Sequence, residues 1–329
     1  MKLRNRARTV SRQLLFVTDL HGSTIAFRKM LSAASVYGVE ALICGGDVAG
    51  KRLYPIVAEG GSRYTLDPLG AKESIDGAAA LADARAQIEA RGGYPVVVAD
   101  DELQMLGSDG EAMERRFTEQ VRNRLEEWVA LADDRLAGTD VRCYVTGGND
   151  DTDEMLEPLR SSGSERVIAC EDMVVEVLGH EMISLGWSNQ TPWDTPRETS
   201  EDELARMLNQ AIETLSCTDT AIFNIHVPPK DSTLDSCPRL DTSVWPPAPV
   251  MRGGYPEMIG AGSSAVADAI LVHQPLLSLH GHIHESTGVT KIGRTVCINP
   301  GSEYQDAALL GAIVALSPST VVHYQLTRG

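Results

Sequence analysis

The sequence predicts a layered α/β fold. Two observations carry that expectation: apolar β-type runs alternate with amphipathic helical patterns, and several of the runs end in a polar cluster. Leu14–Thr18 leads into Asp19-Leu20-His21-Gly22, and Ala41–Cys44 into Gly45-Gly46-Asp47. Val141–Thr146 leads into Gly147-Gly148-Asn149-Asp150-Asp151, Thr220–Ile225 into His226, and Leu276–Leu279 into His280-Gly281-His282-Ile283-His284. The carboxyl ends of strands are where α/β folds place their sites.

The elements follow in order. Ser23–Tyr37 has a helical pattern after the first strand. Met113, Phe117, Val121, Leu125, Trp128, Val129, Ala132 and Leu136 mark one apolar face of a long helix, with Gly138 as its stop. Glu201–Leu215 and Ser263–His273 are also helical in pattern. Val167–Ala169, Met173–Val177, Met182–Leu185, Val289–Ile292, Thr295–Ile298, Ala312–Leu316 and Val321–Leu326 are short runs set off by turn residues, which predicts antiparallel hairpins. The whole chain, 1–329, is expected to be one domain carrying two inserted segments. Ala49–Ser108 holds a Gly60-Gly61 turn, an Ala-rich helix near Ser74–Ala90 and a strand-like Val96–Val98. Val227–Ala261 is rich in Pro and Gly; both segments are expected near the carboxyl ends of the strands, at the mouth of a site.

Composition bounds the function. A chain of 329 residues, 43% hydrophobic and 23% charged, suits a large soluble enzyme. The net charge of −17 disfavours a broad nucleic-acid surface but leaves room for a small anionic substrate, since bound cations invert a local potential. Six cysteines form no CxxC pair, and Cys44, Cys143 and Cys297 lie in apolar runs, as expected of reduced thiols in the cytoplasm. Met1–Arg12 is basic, but only Leu14–Val17 is apolar behind it, too little for a secretory leader. No run approaches the ~20 apolar residues of a membrane span.

The polar clusters combine carboxylate, imidazole and amide oxygen, the ligands of Mn, Fe, Zn and similar divalent ions. Asp19-x-His21 and His282-x-His284 would each face one side of an extended segment. The ordered set Asp19-x-His21, Gly46-Asp47, Gly148-Asn149, His226 and Gly281-His282-x-His284 resembles the calcineurin-like metallophosphoesterase superfamily. Asn299-Pro300-Gly301-Ser302 is similar to a turn common in that family. The resemblance implies a four-layer α/β/β/α sandwich and two divalent metal ions. It assigns one to Asp19, His21 and His284 and the other to Asn149, His226 and His282, with Asp47 bridging and a hydroxide held between them as nucleophile.

One position departs from the family pattern. Asp150 stands where the motif often has a histidine that contacts phosphate and protonates the leaving group, while Asp151 matches the acidic position after it. Two cations nearby would keep Asp150 ionised, making it a poor general acid. The expected activity is therefore hydrolysis of a small phosphorylated substrate, a phosphodiester or anhydride before a simple monoester. The alternatives are a non-catalytic scaffold on the same fold, or a nuclease. Lys51 and Arg52 are candidate phosphate contacts, with Asp47, Asn149 and Asp150 as the catalytic set. The loop Trp187–Glu198 is either a substrate wall or a rigid connection packing Trp193 on the core, and His180, His273, His280 and His323 are expected to be structural. Substrate, metal identity and oligomeric state are not specified by the sequence.

Overall fold

Alternation along the first strand sets the layers. In the computed structural model, which describes residues 11–67 and 72–329, Leu14 and Phe16 of the strand Arg12–Val17 enter one hydrophobic cluster and Leu15 and Val17 another. A strand whose two faces are both apolar must be covered on both sides. Its sheet runs Thr320–Arg328, Leu310–Ser317, Arg12–Val17, Ala41–Gly45, Arg142–Thr146, Val167–Ala169. The last four strands are parallel and the first two antiparallel. The basic stretch expected ahead of Leu14 lies, up to residue 10, outside the described residues.

A second sheet runs Gly288–Ile292, Thr295–Asn299, Leu277–Leu279, Ile222–Ile225, His180–Leu185, Val175–Val177, with four parallel central strands between antiparallel edges. Leu14, Phe16, Ala41 and Ile43 meet Met182, Ile222, Leu277, Leu279 and Ile298 between the sheets. Helices Thr24–Tyr37, Gly110–Arg135 and Asp153–Ser161 cover the outer face of the first sheet through Phe27, Met30, Leu125, Trp128 and Leu156. Helices Glu201–Glu213 and Ser264–His273 cover the second through Leu204, Leu208, Val266 and Ile270. The architecture is the expected α/β/β/α sandwich.

Local chemistry sets the helix ends. Ser23 accepts from the Ala26 amide to start the first helix, and Gly38, at φ 67°, ends it. Asp109 caps the long helix in the same way, ahead of the first expected apolar position. Two expectations fail. Val167–Ala169 belongs to no hairpin: it pairs parallel with Arg142–Thr146, because the intervening helix Asp153–Ser161 makes a crossover. The Ala-rich helix starts only at Gly77, because Glu73–Asp76 is taken up as an antiparallel edge strand beside Arg63–Leu66.

The first inserted segment is a built unit. Glu73–Asp76, Arg63–Leu66, Arg52–Gly60 and Gly93–Val98 form a four-stranded sheet. Helix Gly77–Ala90 packs on one face over Ile56, Leu66 and Ile75. The other face buries Leu53, Val96 and Val98 against Leu106, Met113 and Phe117. The second segment is a chain of two-stranded ladders anchored at its root by Asp235, whose carboxylate accepts from the amides of Asp231, Ser232 and Gly262. Among the described residues no helix is long and apolar enough to cross a membrane.

Trp128 is 3% exposed and stacks on Phe27 with centroids 4.3 Å apart, joining the long helix to the first. Trp128→Ala is expected to cost about 3–5 kcal/mol, read as a lower urea midpoint at unchanged slope.

Candidate metal centre

Three of the site's side chains leave the ends of adjacent parallel strands through backbone that L-residues seldom adopt. Asp19, His21 and Asp47 have φ of 53°, 41° and 48°, and His282 has φ of 66°. Extended alternation therefore does not put Asp19 with His21, or His282 with His284. Tight left-handed turns do, because the two loops after the first strands stay hydrogen-bonded to each other: Asp19 N donates to Gly46 O at 3.0 Å and His21 N to Asp47 O at 2.9 Å. Such strain persists where the surroundings over-determine it. A Cβ on Gly148 would lie 2.1 Å from Asp47 Oδ1, and one on Gly281 would lie 2.0 Å from Thr18 Oγ1, so these motif glycines are demanded by close approach.

The seven expected ligands converge. One ligand atom from each of Asp19, His21, Asp47 and His284 lies within 4.8 Å of the others, a group that could hold a metal ion. His284 Nε2 is 3.3 Å from Asp19 Oδ1 and 3.1 Å from His21 Nε2. Beside it, Asn149 Oδ1 is 3.0 Å from His226 Nε2 and 2.7 Å from His282 Nδ1. Asp47 spans the two groups: its Oδ2 is 3.6 Å from His21 Nε2 and its Oδ1 3.5 Å from His226 Nε2. Asp19, His21, Asp47, Asn149 and His226 are all buried.

The donor chemistry fits divalent cations. His21 Nδ1 lies 3.2 Å from Ala49 O and His226 Nδ1 lies 3.0 Å from Gly45 O, contacts that place the proton on Nδ1 of a neutral ring and a lone pair on Nε2. His226 Nε2 and Asn149 Oδ1 would then be two acceptors facing each other, an arrangement that needs a positive charge. Among protein groups alone a proton takes that place: burial lowers the His226 imidazole, but Asp47 and Asp19 outweigh it and lift it to about 9. Burial, with Lys51 adding to it, drops His21 to about 3, and burial holds His282 at about 4.

A brace surrounds the ligands. Asp151 accepts from the amides of Val48, Ala49 and Gly148, locking the Asp47 and Asn149 loops together. Asn299 donates to the carbonyls of Leu234, Gly281 and Ile283, and Ser302 donates to Asp19 O, so the turn noted in the sequence clamps two ligand loops. Tyr304, which carries no sequence signal beyond lying just past that turn, sets its ring 4.6 Å from that of His21. His280 is buried, with Nδ1 on Ile225 O and Val227 O, and stands outside the ligand set.

The remaining candidates separate. Lys51 is half exposed and its Nζ lies 2.8 Å from Asp150 Oδ2. Burial and repulsion from Asp47 push the Asp150 carboxyl up to about 6 against the pull of Lys51; the expected depression would need the field of cations. Arg52 lies over the Tyr54 ring at 5.1 Å, on the inserted sheet. Trp193 is 50% exposed and does not pack on the core; Trp187 is the indole that meets Arg197, at 5.6 Å.

No protein-family model matches the chain. An uncharacterized protein of Methanocaldococcus jannaschii is 27% identical over 155 residues, which are 46% of this chain and 61% of that relative's length. One solved structure matches 97% of this chain and 99% of its own with a TM-score of 0.57 at 14% identity. A protein of Thermus thermophilus covers the same shares with a TM-score of 0.53 at 12% identity. The chain shares the layered α/β/β/α fold of these structures. In this fold the strand-end loops of both sheets meet where the Asp and His cluster lies.

Metal binding beside His226 must expel its proton. Apparent Mn affinity is expected to rise with pH up to about 9, by about tenfold per unit for the one proton displaced. Calorimetry in buffers of different ionisation enthalpy measures the proton released; a pH-independent affinity would contradict this.

Proposed function

We propose that the protein is a metal-dependent phosphoesterase of the calcineurin-like metallophosphoesterase superfamily. Asp19, His21 and His284 hold one divalent cation, Asn149, His226 and His282 hold a second, and Asp47 is shared. The observation that carries this reading is the Asp47 carboxylate, whose two oxygens face different donor sets. Mn, Fe or Zn suits such ligands. Cations of this kind supply Lewis-acid polarisation of a phosphoryl oxygen and a water acidic enough to attack near neutral pH.

The chain's own side chains set the rest. Lys51, held by Asp150 at the rim, offers an ammonium to a phosphate oxygen and offsets the negative charge of Asp150. Asp150, ionised beside the cations, does not protonate a poor leaving group, which favours phosphodiesters and anhydrides over alkyl monoesters. The first insertion brings in Lys51, and the second begins directly after His226 and is tied to the His284 segment by Ser286 Oγ donating to Ser236 O at 2.8 Å. Both would wall the substrate's entrance within one domain. The net charge of −17 keeps a small phosphorylated compound ahead of nucleic acid as the substrate. The buried thiols Cys44, Cys143, Cys170 and Cys297 suit a cytoplasmic setting.

Mn-loaded protein should hydrolyse an activated aryl phosphodiester, and Asp47→Ala should lower that rate by more than about a hundredfold, beyond what loss of an outer-shell partner costs. A metal-loaded protein inert toward diesters, anhydrides and monoesters would favour the scaffold alternative. Asp150→His is expected to raise the rate ratio of an alkyl to an aryl monoester; equal rates on the two in the unmodified protein would show that leaving-group protonation is intact.

A further inference from the structure

The loop Trp187–Glu198 packs its main chain against Asn149, with Arg197 N donating to Asn149 O at 3.1 Å. An asparagine amide can present either end to a neighbour, and only its oxygen ligates a cation. Two contacts decide which end points inward. Asn149 Nδ2 donates to Thr195 Oγ1 at 2.8 Å and to Asp150 Oδ1 at 3.3 Å. The Thr195 hydroxyl has one proton, and it goes to Glu198 Oε1 at 2.7 Å. Toward Asn149, Thr195 therefore has only lone pairs to offer. Glu198 is itself fixed by the Thr191 and Thr195 amides, at 2.8 and 3.0 Å, and by the Thr191 hydroxyl.

We propose that Thr195, its hydroxyl oriented by Glu198, is the positioning residue that turns the Asn149 oxygen toward the second cation. The inference rests on the metal-site reading above. A reversed amide would set its oxygen against the Thr195 lone pairs and the Asp150 carboxylate, and would point an NH2 group at the place where His226 Nε2 and His282 Nδ1 converge. The loop thereby acts on the metal site through hydrogen-bond direction and not as an aromatic wall. Outer-shell partners of this kind set ligand orientation and affinity.

The test is calorimetric titration with Mn alone, resolving two sites, on the unmodified protein and on Thr195→Val, Thr195→Ser and Asn149→Ala. Thr195→Val keeps the shape but has no acceptor; it should weaken the second Mn by about 10–100-fold and leave the first unchanged, and Thr195→Ser should restore it. Should Thr195→Val not fold, Thr195→Ala carries the same readout. Unchanged second-site affinity in Thr195→Val, beside its loss in Asn149→Ala, overturns the positioning role and leaves the metal reading standing. Equal weakening of both sites, or failure of serine to restore binding, also overturns it. Two Mn retained by Asn149→Ala, or fewer than two bound by the unmodified protein, overturns the metal reading and the inference with it.

Discussion

Asp47 lies at the end of a central parallel strand with left-handed backbone and a fully buried carboxylate, and most of the surrounding geometry answers to it. Each oxygen looks toward a different imidazole, His21 on one side and His226 on the other. The Asp150 amide donates to its Oδ1 at 3.0 Å, and the absence of a side chain at Gly148 lets the neighbouring loop approach. Burial alone would raise this carboxyl; His226 and His21 hold it well below the carboxylate range. A charge kept in such a place requires permanent partners.

The partners are arranged in tiers. Imidazoles and carboxylates line the centre, and backbone carbonyls of Gly45 and Ala49 fix ring tautomers behind them. Farther out, Asp151 and Asn299 spend their side chains on main-chain groups, each joining loops from different strands. Beneath the site, Asn224 donates to Thr146 across the space between the sheets and to Ser184 on the neighbouring strand of its own sheet. The polar layer thus continues from the ligand loops into the sandwich, where each sheet contributes to fixing the other.

Much of this was legible in the sequence because strand ends advertise themselves: an apolar run that stops at Asp, Asn or His is a local signal, and the runs before Asp19, Asp47, Asn149, His226 and His282 all carried it. The layers were legible for the same reason, through alternation at Leu14–Val17 and the apolar face of the long helix. What escaped depends on contacts distant in sequence. Asp19 and His21 look like an extended pair until the hydrogen bonds to the Asp47 loop bend them into left-handed turns. Arg63–Leu66 and Glu73–Asp76 are short and half exposed, and become strands only by pairing with each other and with Arg52–Gly60. Tyr304 and Thr195 matter through what they touch, and residue type alone says nothing of that.

The four-stranded sheet covers one face with its own helix and the other with Leu106 and the start of the long helix. Its Tyr94 also reaches the main core, accepting from Gly50 N at 2.7 Å beneath the Arg124 guanidinium. Anchored on one side in this way, the sheet can vary in its turns and outer surface while the sandwich beneath keeps its shape. Under the proposed function, recognition and reaction would be separable inheritances: the rim that begins at Lys51 would be free to drift toward new compounds, and the carboxylates and imidazoles below it would have no reason to follow.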